Sequence, residues 1–496
     1  MTAAPTPAGA ASHHQLCGAT LDAPEHILDL VEPHLGTNAP AVTDREGTFT
    51  YRELDERSAM IARVLLTEGV RPGDHVLIHA RLSRWAVVAM LGVLRSGATY
   101  VPVDAAFPAG RRQHITRASG ARYAVVENGL TDVPPTPVMI PADVRDVGAA
   151  TVRGPLAYTC YTSGSTGAPK GVTISARALA ASTAARLHYY DAPVTRFVLC
   201  SSISFDSSVA GIYWTLASGA ELVIPSDRQT DVLAIARAAA GASHMLTLPS
   251  LYRMMLRGEL FTNAVAPRNV IVAGESCPPD LLRQHFAAVP DCELFNEYGP
   301  TECTVWSTVH RCRPEDASAG SVPIGRPIPG TTLYVESTGD APGELVIGGQ
   351  GLAEQYRAAG VFHTGDLVSV DAEGRLVFHG RVDDQLKLGG MRIERNEISS
   401  VLATCPGVAE AAVGVAERNG RSAVLGVVTV TDPLLTPAAV RAHALRHLPG
   451  VAVPGRIEIR GQLPTLPNGK VDQRGVDMLA AQAHTARTRE AADDRP

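Results

Sequence analysis

The sequence predicts an α/β protein: a large N-terminal domain of helix-covered sheets, followed by a small α+β C-terminal domain. Three observations predict it. The chain has 496 residues, more than one compact core accommodates, so two or three domains are expected. From Thr50 onward, strand-like and helix-like segments alternate, which is the pattern of sheets covered on both faces. After Arg381 the texture changes to a run of about a hundred residues with its own strand, turn and helix signals, a normal domain size.

The elements follow in order. Residues 1–20 are rich in Ala, Pro and Gly, with neither a basic start nor an apolar centre. They are expected to be a disordered tail and not a signal peptide, with His13-His14 incidental. Thr50 opens the first clear helix. Glu53 stands three residues on, as a capping box requires, and Leu54, Ile61 and Leu65 follow at near-helical spacing. Gly69 and the turn Arg71–Asp74 stop it, and His75–Ala80 reads as a strand. A helix from Ser83 to Leu94 ends before Gly97, and Tyr100–Val103 is strand-like. The middle continues with helices near Ala178–His188 and Val232–Ala240 and a strand near Phe197–Cys200. Glu344–Gly351 is a strand that ends on glycines, so a sharp turn is expected there.

Beyond Arg381, residues Arg392–Thr404 read as a strand leading into a helix that Pro406 ends. Val408–Val415 and Ser422–Val430 are strands joined by a turn at Asn419-Gly420, and Thr436-Pro437 starts another helix. These signals place the large domain at 21–382, the small domain at 383–477 and a second tail at 478–496.

Composition excludes several classes. Hydrophobic residues make up 45% and charged residues 19%, as in ordinary globular proteins. A net charge of −6 gives no electrostatic reason for a nucleic-acid or anionic-membrane partner. The eight cysteines are scattered without a CxxC pair, which indicates neither a zinc site nor a disulfide framework and suits a reducing cytoplasm. No apolar run is long enough to span a membrane.

The chemistry is densest in Tyr158–Gly171, YTCYTSGSTGAPKG. Thr162, Ser163, Gly164, Ser165, Thr166 and Gly167 form an unbroken run of hydroxyls and glycines, and Lys170 closes it. Glycines let backbone N–H groups approach an anion, the hydroxyls add donors, and the lysine adds a mobile charge. A polyphosphate cradle needs those groups. A flexible linker has the same composition, but Leu156, Ala157 and Tyr158 before the run and Val172, Thr173 and Ile174 after it place the loop between two strands. A Walker A loop is excluded, because the fifth residue after Gly164 is Pro169.

The stretch resembles the signature loop of the AMP-forming adenylating enzymes. That superfamily contains acyl-CoA synthetases, firefly-type luciferases and the adenylation domains of nonribosomal peptide synthetases, and the wording matches the last branch best. FTYREL (Phe49–Leu54) and LRSGATYVPVD (Leu94–Asp104) match two early motifs, and others follow in order as far as Val471. The resemblance implies ATP and Mg²⁺ as cofactors, with Thr166 and Lys170 acting on the phosphates. Gly274 and Glu275 (VAGES) border the adenine. In NEYGPTE, Asn296 hydrogen-bonds the adenine amino group, Tyr298 stacks on the base, Gly299 makes the turn, Thr301 contacts a phosphate and Glu302 holds Mg²⁺. An aromatic face for a base and a hard carboxylate for a hard cation are sound chemical matches. Asp366 (HTGD) and Arg381 (GRVDDQLK) contact the ribose. Asp383 is the hinge of a mobile small domain, and Lys470 (NGKVD) enters from that domain as the catalytic lysine.

The substrate side follows from the same resemblance. In FDSS, Phe205 precedes Asp206, which pairs with a substrate ammonium; acyl-CoA synthetases lack that acid. Ser207, Ala210, Thr247 and Ile271 line one part of a side-chain pocket. Ala273, Glu297, Val305 and Trp306 line the rest. Small residues at 207, 210 and 273 leave volume for a bulky or aromatic amino acid, α or β, and Glu297 is placed to receive a polar tip. Trp306 argues the other way, since an indole there fills the floor and favours a small substrate. The chain departs from the family's pattern at Ala176, at Gly389 and in Leu448–Pro454. Adenylation is unaffected by these changes, whereas the second half-reaction and its partner surface are less constrained.

The expected function is ATP-dependent conversion of an amino acid to aminoacyl-AMP with release of pyrophosphate. Transfer to the phosphopantetheine thiol of a separate carrier protein follows, because no Gly-Gly-x-Ser site follows Asp472. Two alternatives stand beside it: an acyl- or aryl-CoA ligase of the same superfamily, and an inactive ligand-binding partner in a biosynthetic assembly.

Overall fold

A computed structural model describes residues 12–127, 136–139, 151–163, 169–228, 231–261, 266–337, 341–382, 385–418, 421–465 and 471–493. Gly164, Ser165, Thr166, Gly167, Asp383, Lys470 and the Asn419-Gly420 turn lie outside them. The fold is α/β, with a large N-terminal sheet domain and a smaller C-terminal domain. Backbone packing groups residues 1–105, 119–160 and 171–383 into one compact unit, and 106–118, 161–170 and 384–496 into another.

Among the described residues, the large unit is built on three sheets. At the centre of one, the strands Arg196–Leu199, His244–Thr247, Asn269–Val272 and Glu293–Tyr298 lie side by side and parallel. Each is a short, almost wholly buried run, as expected where helices cover both faces. The second sheet pairs His75–Ala80 with Thr99–Asp104 and Tyr123–Val126, again in parallel. The third is antiparallel and carries Val361–Val370 beside Leu376–Arg381.

Local chemistry places the helices. Thr50 caps helix Tyr51–Thr67, and its side chain and that of Glu53 exchange the reciprocal bonds of a capping box. The Ser83 hydroxyl caps Arg84–Arg95, and Thr436 caps Pro437–His447 with proline in the first turn. Gly349 adopts φ +120°, and a Cβ there would meet the Gly330 carbonyl oxygen at 2.4 Å, so only glycine permits the turn that ends the strand.

In the smaller unit, Met391–Glu394 leads into helix Arg395–Ala403, and Val408–Arg418 pairs antiparallel with Arg421–Val430.

Among the described residues, part of each expected tail is instead regular structure. Ser12–Cys17 forms a strand on the antiparallel sheet, with Leu16 opposite Leu333. Its partner lies more than three hundred residues away, so no local signal announces it. Residues beyond 478 continue helix Gln473–Asp493. Val476 and Ala480, one turn apart, are buried against Leu425 and Val427 of the small sheet, and that packing anchors a helix whose Ala-rich composition already favours it. Among the described residues, no helix is long and apolar enough to cross a membrane.

Candidate active site

The large unit gathers candidate residues where strand Glu293–Tyr298 ends. Gly299 follows, and a Cβ on it would lie 2.4 Å from the Trp306 Cα, so the chain folds back on itself through a position only glycine fills. The short helix Thr301–Cys303 comes next, then Thr304 and Val305 with φ of +56° and +80°. Two successive non-glycine residues with positive φ are strained and must be held by their surroundings. Here the Thr304 hydroxyl donates to the Gly351 carbonyl at 2.6 Å, and the Thr304 carbonyl accepts from the Ser182 hydroxyl at 2.9 Å. The result is a clamped loop that carries Glu302 at one end and Trp306 at the other.

Asp206 and Thr301 meet beside this loop. Asp206 is the first residue of helix Asp206–Ala217. Burial pushes its carboxyl up to about 6; a hydrogen bond from Thr301 opposes the shift, and the charge of Glu302 adds to it. Glu302 is fully buried. Asp206 is half-buried, and two carboxylates that repel each other at such a place, one closed to water and one partly open, make a locus that favours a cation. The donors are hard oxygens, which fits both an ammonium group and Mg²⁺.

A second cluster joins Tyr298, Asp366 and Arg381. The Tyr298 hydroxyl and the Arg381 guanidinium each donate to one oxygen of Asp366. Burial, then the neighbouring Asp366 charge, raises the Tyr298 phenol well above its ordinary value, so it stays a donor. Asp366 keeps spare lone pairs for further donors. Arg381 stands directly across from Asp366 in the antiparallel pair, so their meeting follows from strand register. The Asn296 amide donates to the Pro323 carbonyl at 2.9 Å, which turns its oxygen toward other donors. Gly274 has φ +81°, and Glu275 accepts from the Ser250 backbone N–H at 3.0 Å.

At the start of the hydroxyl-rich loop, the Thr162 and Ser163 hydroxyls are buried, and no partner is found for either among the described residues. Buried hydroxyls with donor capacity to spare fit an anion site. Lys170, at the other end of the loop, is exposed on strand Lys170–Ser175.

The expected side-chain pocket divides in two. Phe205, Asp206, Ser207, Ala273 and Val305 are partly exposed, and Ala210 is buried. Thr247, Ile271, Glu297 and Trp306 are between 0% and 3% exposed. Glu297 is the clearest departure from expectation, because its carboxylate is already engaged. Arg186 donates from both terminal nitrogens, to Oε1 at 2.5 Å and Oε2 at 2.9 Å, and the Tyr190 hydroxyl donates to Oε1 at 2.6 Å. The Arg186 guanidinium also lies 4.2 Å from the Trp306 ring centroid. A polar substrate tip meets no vacant carboxylate here. Sequence reasoning missed Arg186 and Tyr190. The signal was an arginine within ARALAASTAARLHY, a helix otherwise buried through small residues.

Comparisons with known proteins identify the family. Residues 34–357 match the family model of the AMP-binding enzymes, and residues 397–470 match that of the AMP-binding enzyme C-terminal domain. Novobiocin biosynthesis protein H of Streptomyces niveus is 34% identical, over 88% of this chain and 80% of its own length. A plipastatin synthase of Bacillus subtilis is 34% identical over 88% of this chain, which spans only 13% of that much longer protein. Phosphinothricin tripeptide synthetase of Streptomyces viridochromogenes is 34% identical over 96% of this chain and 46% of its own. Among solved structures, a nonribosomal peptide synthetase protein containing adenylation and PCP domains superposes with a TM-score of 0.77 at 25% identity, covering 91% of this chain and 84% of that one. A four-domain nonribosomal peptide synthetase bound to AMP and glycine gives 0.66 at 28%, covering 92% and 37%.

Proposed function

The chain belongs to the AMP-binding, adenylate-forming enzymes, as an adenylation domain of the nonribosomal peptide synthetase kind, and we propose that it activates a free amino acid for transfer to a carrier protein. The observation that supports an amino acid most is the placement of Asp206 beside Thr301 and Glu302. An acid there offers a substrate ammonium its counter-charge at the mouth of the same site.

A carboxylate oxygen of the amino acid attacks the α-phosphorus of ATP. The new bond forms as the bond to the bridging oxygen breaks, and pyrophosphate leaves with that electron pair. Two anions must be brought together, so positioning and charge neutralisation supply most of the rate. Asp206 orients the ammonium. Asp366 and Arg381 take the ribose hydroxyls, Tyr298 and Asn296 the adenine, with Gly274 and Glu275 at its border. Thr162, Ser163, Thr166 and Lys170 hold the phosphates, and Lys470 meets the substrate carboxylate and the α-phosphate. Mg²⁺, held by Glu302, would neutralise phosphate charge. The small domain turns about Asp383, and the thiol of a phosphopantetheinylated carrier then attacks the acyl carbon and expels AMP. The structural neighbours that contain PCP domains support such a partner. We place the reaction in the cytoplasm, with the carrier supplied in trans.

Amino-acid-dependent exchange of pyrophosphate into ATP tests the reading. Exchange with at least one amino acid is expected. Exchange only with acids that lack an amine, with acyl-CoA as product, would replace it with a CoA ligase. Small residues at 207, 210 and 273 favour a bulky or aromatic side chain, whereas the burial of Thr247, Ile271, Glu297 and Trp306 opposes one.

A further inference from the structure

We propose that Arg186, with Tyr190, sets the floor of the substrate side-chain pocket, and that the amino acid taken is small: glycine, alanine, serine or cysteine in size, α or β. The inference rests on the amino-acid-activating reading above and narrows it.

Four pocket residues decide the depth. Thr247 is 2% exposed, Ile271 0%, Glu297 3% and Trp306 1%. Ser207, Ala273 and Val305 are half-buried, whereas those four are closed to solvent. Arg186, itself 1% exposed, packs on two of the four, Glu297 and Trp306. Its two terminal nitrogens bind both Glu297 oxygens, at 2.5 and 2.9 Å, and its guanidinium carbon covers the Trp306 face at 4.2 Å. Tyr190 donates to the same carboxylate and stacks on the same indole, with ring centroids 6.1 Å apart and planes 26° from parallel. The indole N–H is taken by the Ser182 carbonyl at 3.3 Å.

The consequence is steric and electrostatic together. A phenyl or isobutyl group would have to push aside an indole pinned by a guanidinium, or open a buried bidentate ion pair. Breaking such a pair is strongly unfavourable, because one charge is left without a partner in a place water does not reach. A hydrogen, a methyl or a hydroxymethyl group needs none of this. Arg186 acts through Glu297 and Trp306, so it is a positioning residue.

The test is pyrophosphate exchange with glycine, alanine, serine, cysteine and β-alanine against leucine, phenylalanine and tyrosine. The parent is compared with Trp306→Ala and with the double variant Arg186→Leu/Glu297→Ala, each checked for folding by thermal melting. In the parent the small amino acids are expected to exceed the large ones by about a hundredfold in kcat/KM. In both variants the ratio of phenylalanine to alanine should rise at least about tenfold, through a lower KM for phenylalanine, while KM for ATP stays put. If the double variant does not fold, Trp306→Ala decides. A parent that prefers leucine, phenylalanine or tyrosine overturns the inference and leaves amino-acid activation standing. An unchanged ratio in the folded variants also overturns it. No exchange with any amino acid removes the underlying reading as well.

Discussion

Two carboxylates of the large unit, Asp206 and Glu297, are handled in opposite ways. Glu297 receives both arms of Arg186 and the Tyr190 hydroxyl, so its charge is matched within the fold. Asp206 receives the Thr301 hydroxyl and faces the charge of Glu302, and its carboxyl is pushed up to about 6. The first is a finished structure. Among the described residues, the second meets no cation. Burial alone does not separate a scaffold acid from a functional one; the sign of the surrounding charge does.

The largest effect that would break this comparison is on stability. Arg186→Met leaves Glu297 buried and unpaired and is expected to cost about 3–5 kcal/mol, read as a lower midpoint in denaturant. A loss under about 1 kcal/mol would mean that Glu297 finds another partner or takes up a proton. Next comes Asp206→Asn, which should do the reverse: stability equal to the parent or slightly higher, but kcat/KM for the amino acid lowered by about 2–3 kcal/mol, roughly thirty- to two-hundredfold. An unaffected KM for the amino acid would remove Asp206 from ammonium binding.

Tyr190→Phe should cost about 1.5 kcal/mol, since the Arg186 pair persists without the phenol. The smallest effect is on pH. The groups acting on Asp206 are Glu302 and Thr301, and the phenol of Tyr158 and the thiol of Cys160 feel its charge in turn. A carboxyl held at about 6, above its ordinary 3.8, binds its proton more tightly in the folded chain than in the unfolded one. Its contribution to stability therefore grows as pH falls through about 6, toward the unfolded value. Ammonium binding needs the ionised form, so kcat/KM should fall as pH drops below about 6, approaching tenfold per unit. A kcat/KM profile flat to pH 5 would contradict the raised carboxyl.

What was legible in the sequence was local. Thr50 with Glu53, Ser83, and Thr436 with Pro437 announce helices because caps act within one turn. The meeting of Asp366 with Arg381 depends on strand register, which motif order captured only through resemblance. The illegible parts depend on distant partners. Ser12–Cys17 is a strand only because an open edge awaits it at Thr331–Ser337. Glu297 reads locally as a substrate contact, but its partner is Arg186, more than a hundred residues earlier in the chain. Small residues at 207, 210 and 273 suggest volume, whereas the burial of Glu297 and Trp306 depends on Arg186 and Tyr190, partners that no local pattern announces.

The clamped turn at Thr304 and Val305 has a consequence for redesign. It ties Glu302 to Trp306 through a backbone bend that few residue types tolerate, so substitutions there disturb both ends of the loop together. Helix Ala176–Tyr189 takes part in the same clamp, since the Ser182 hydroxyl holds the Thr304 carbonyl and its own carbonyl takes the Trp306 indole N–H. A protein engineer seeking a wider choice of building blocks would leave Ser182 in place and change Arg186 together with Glu297, so that the clamp persists and no buried charge is left alone.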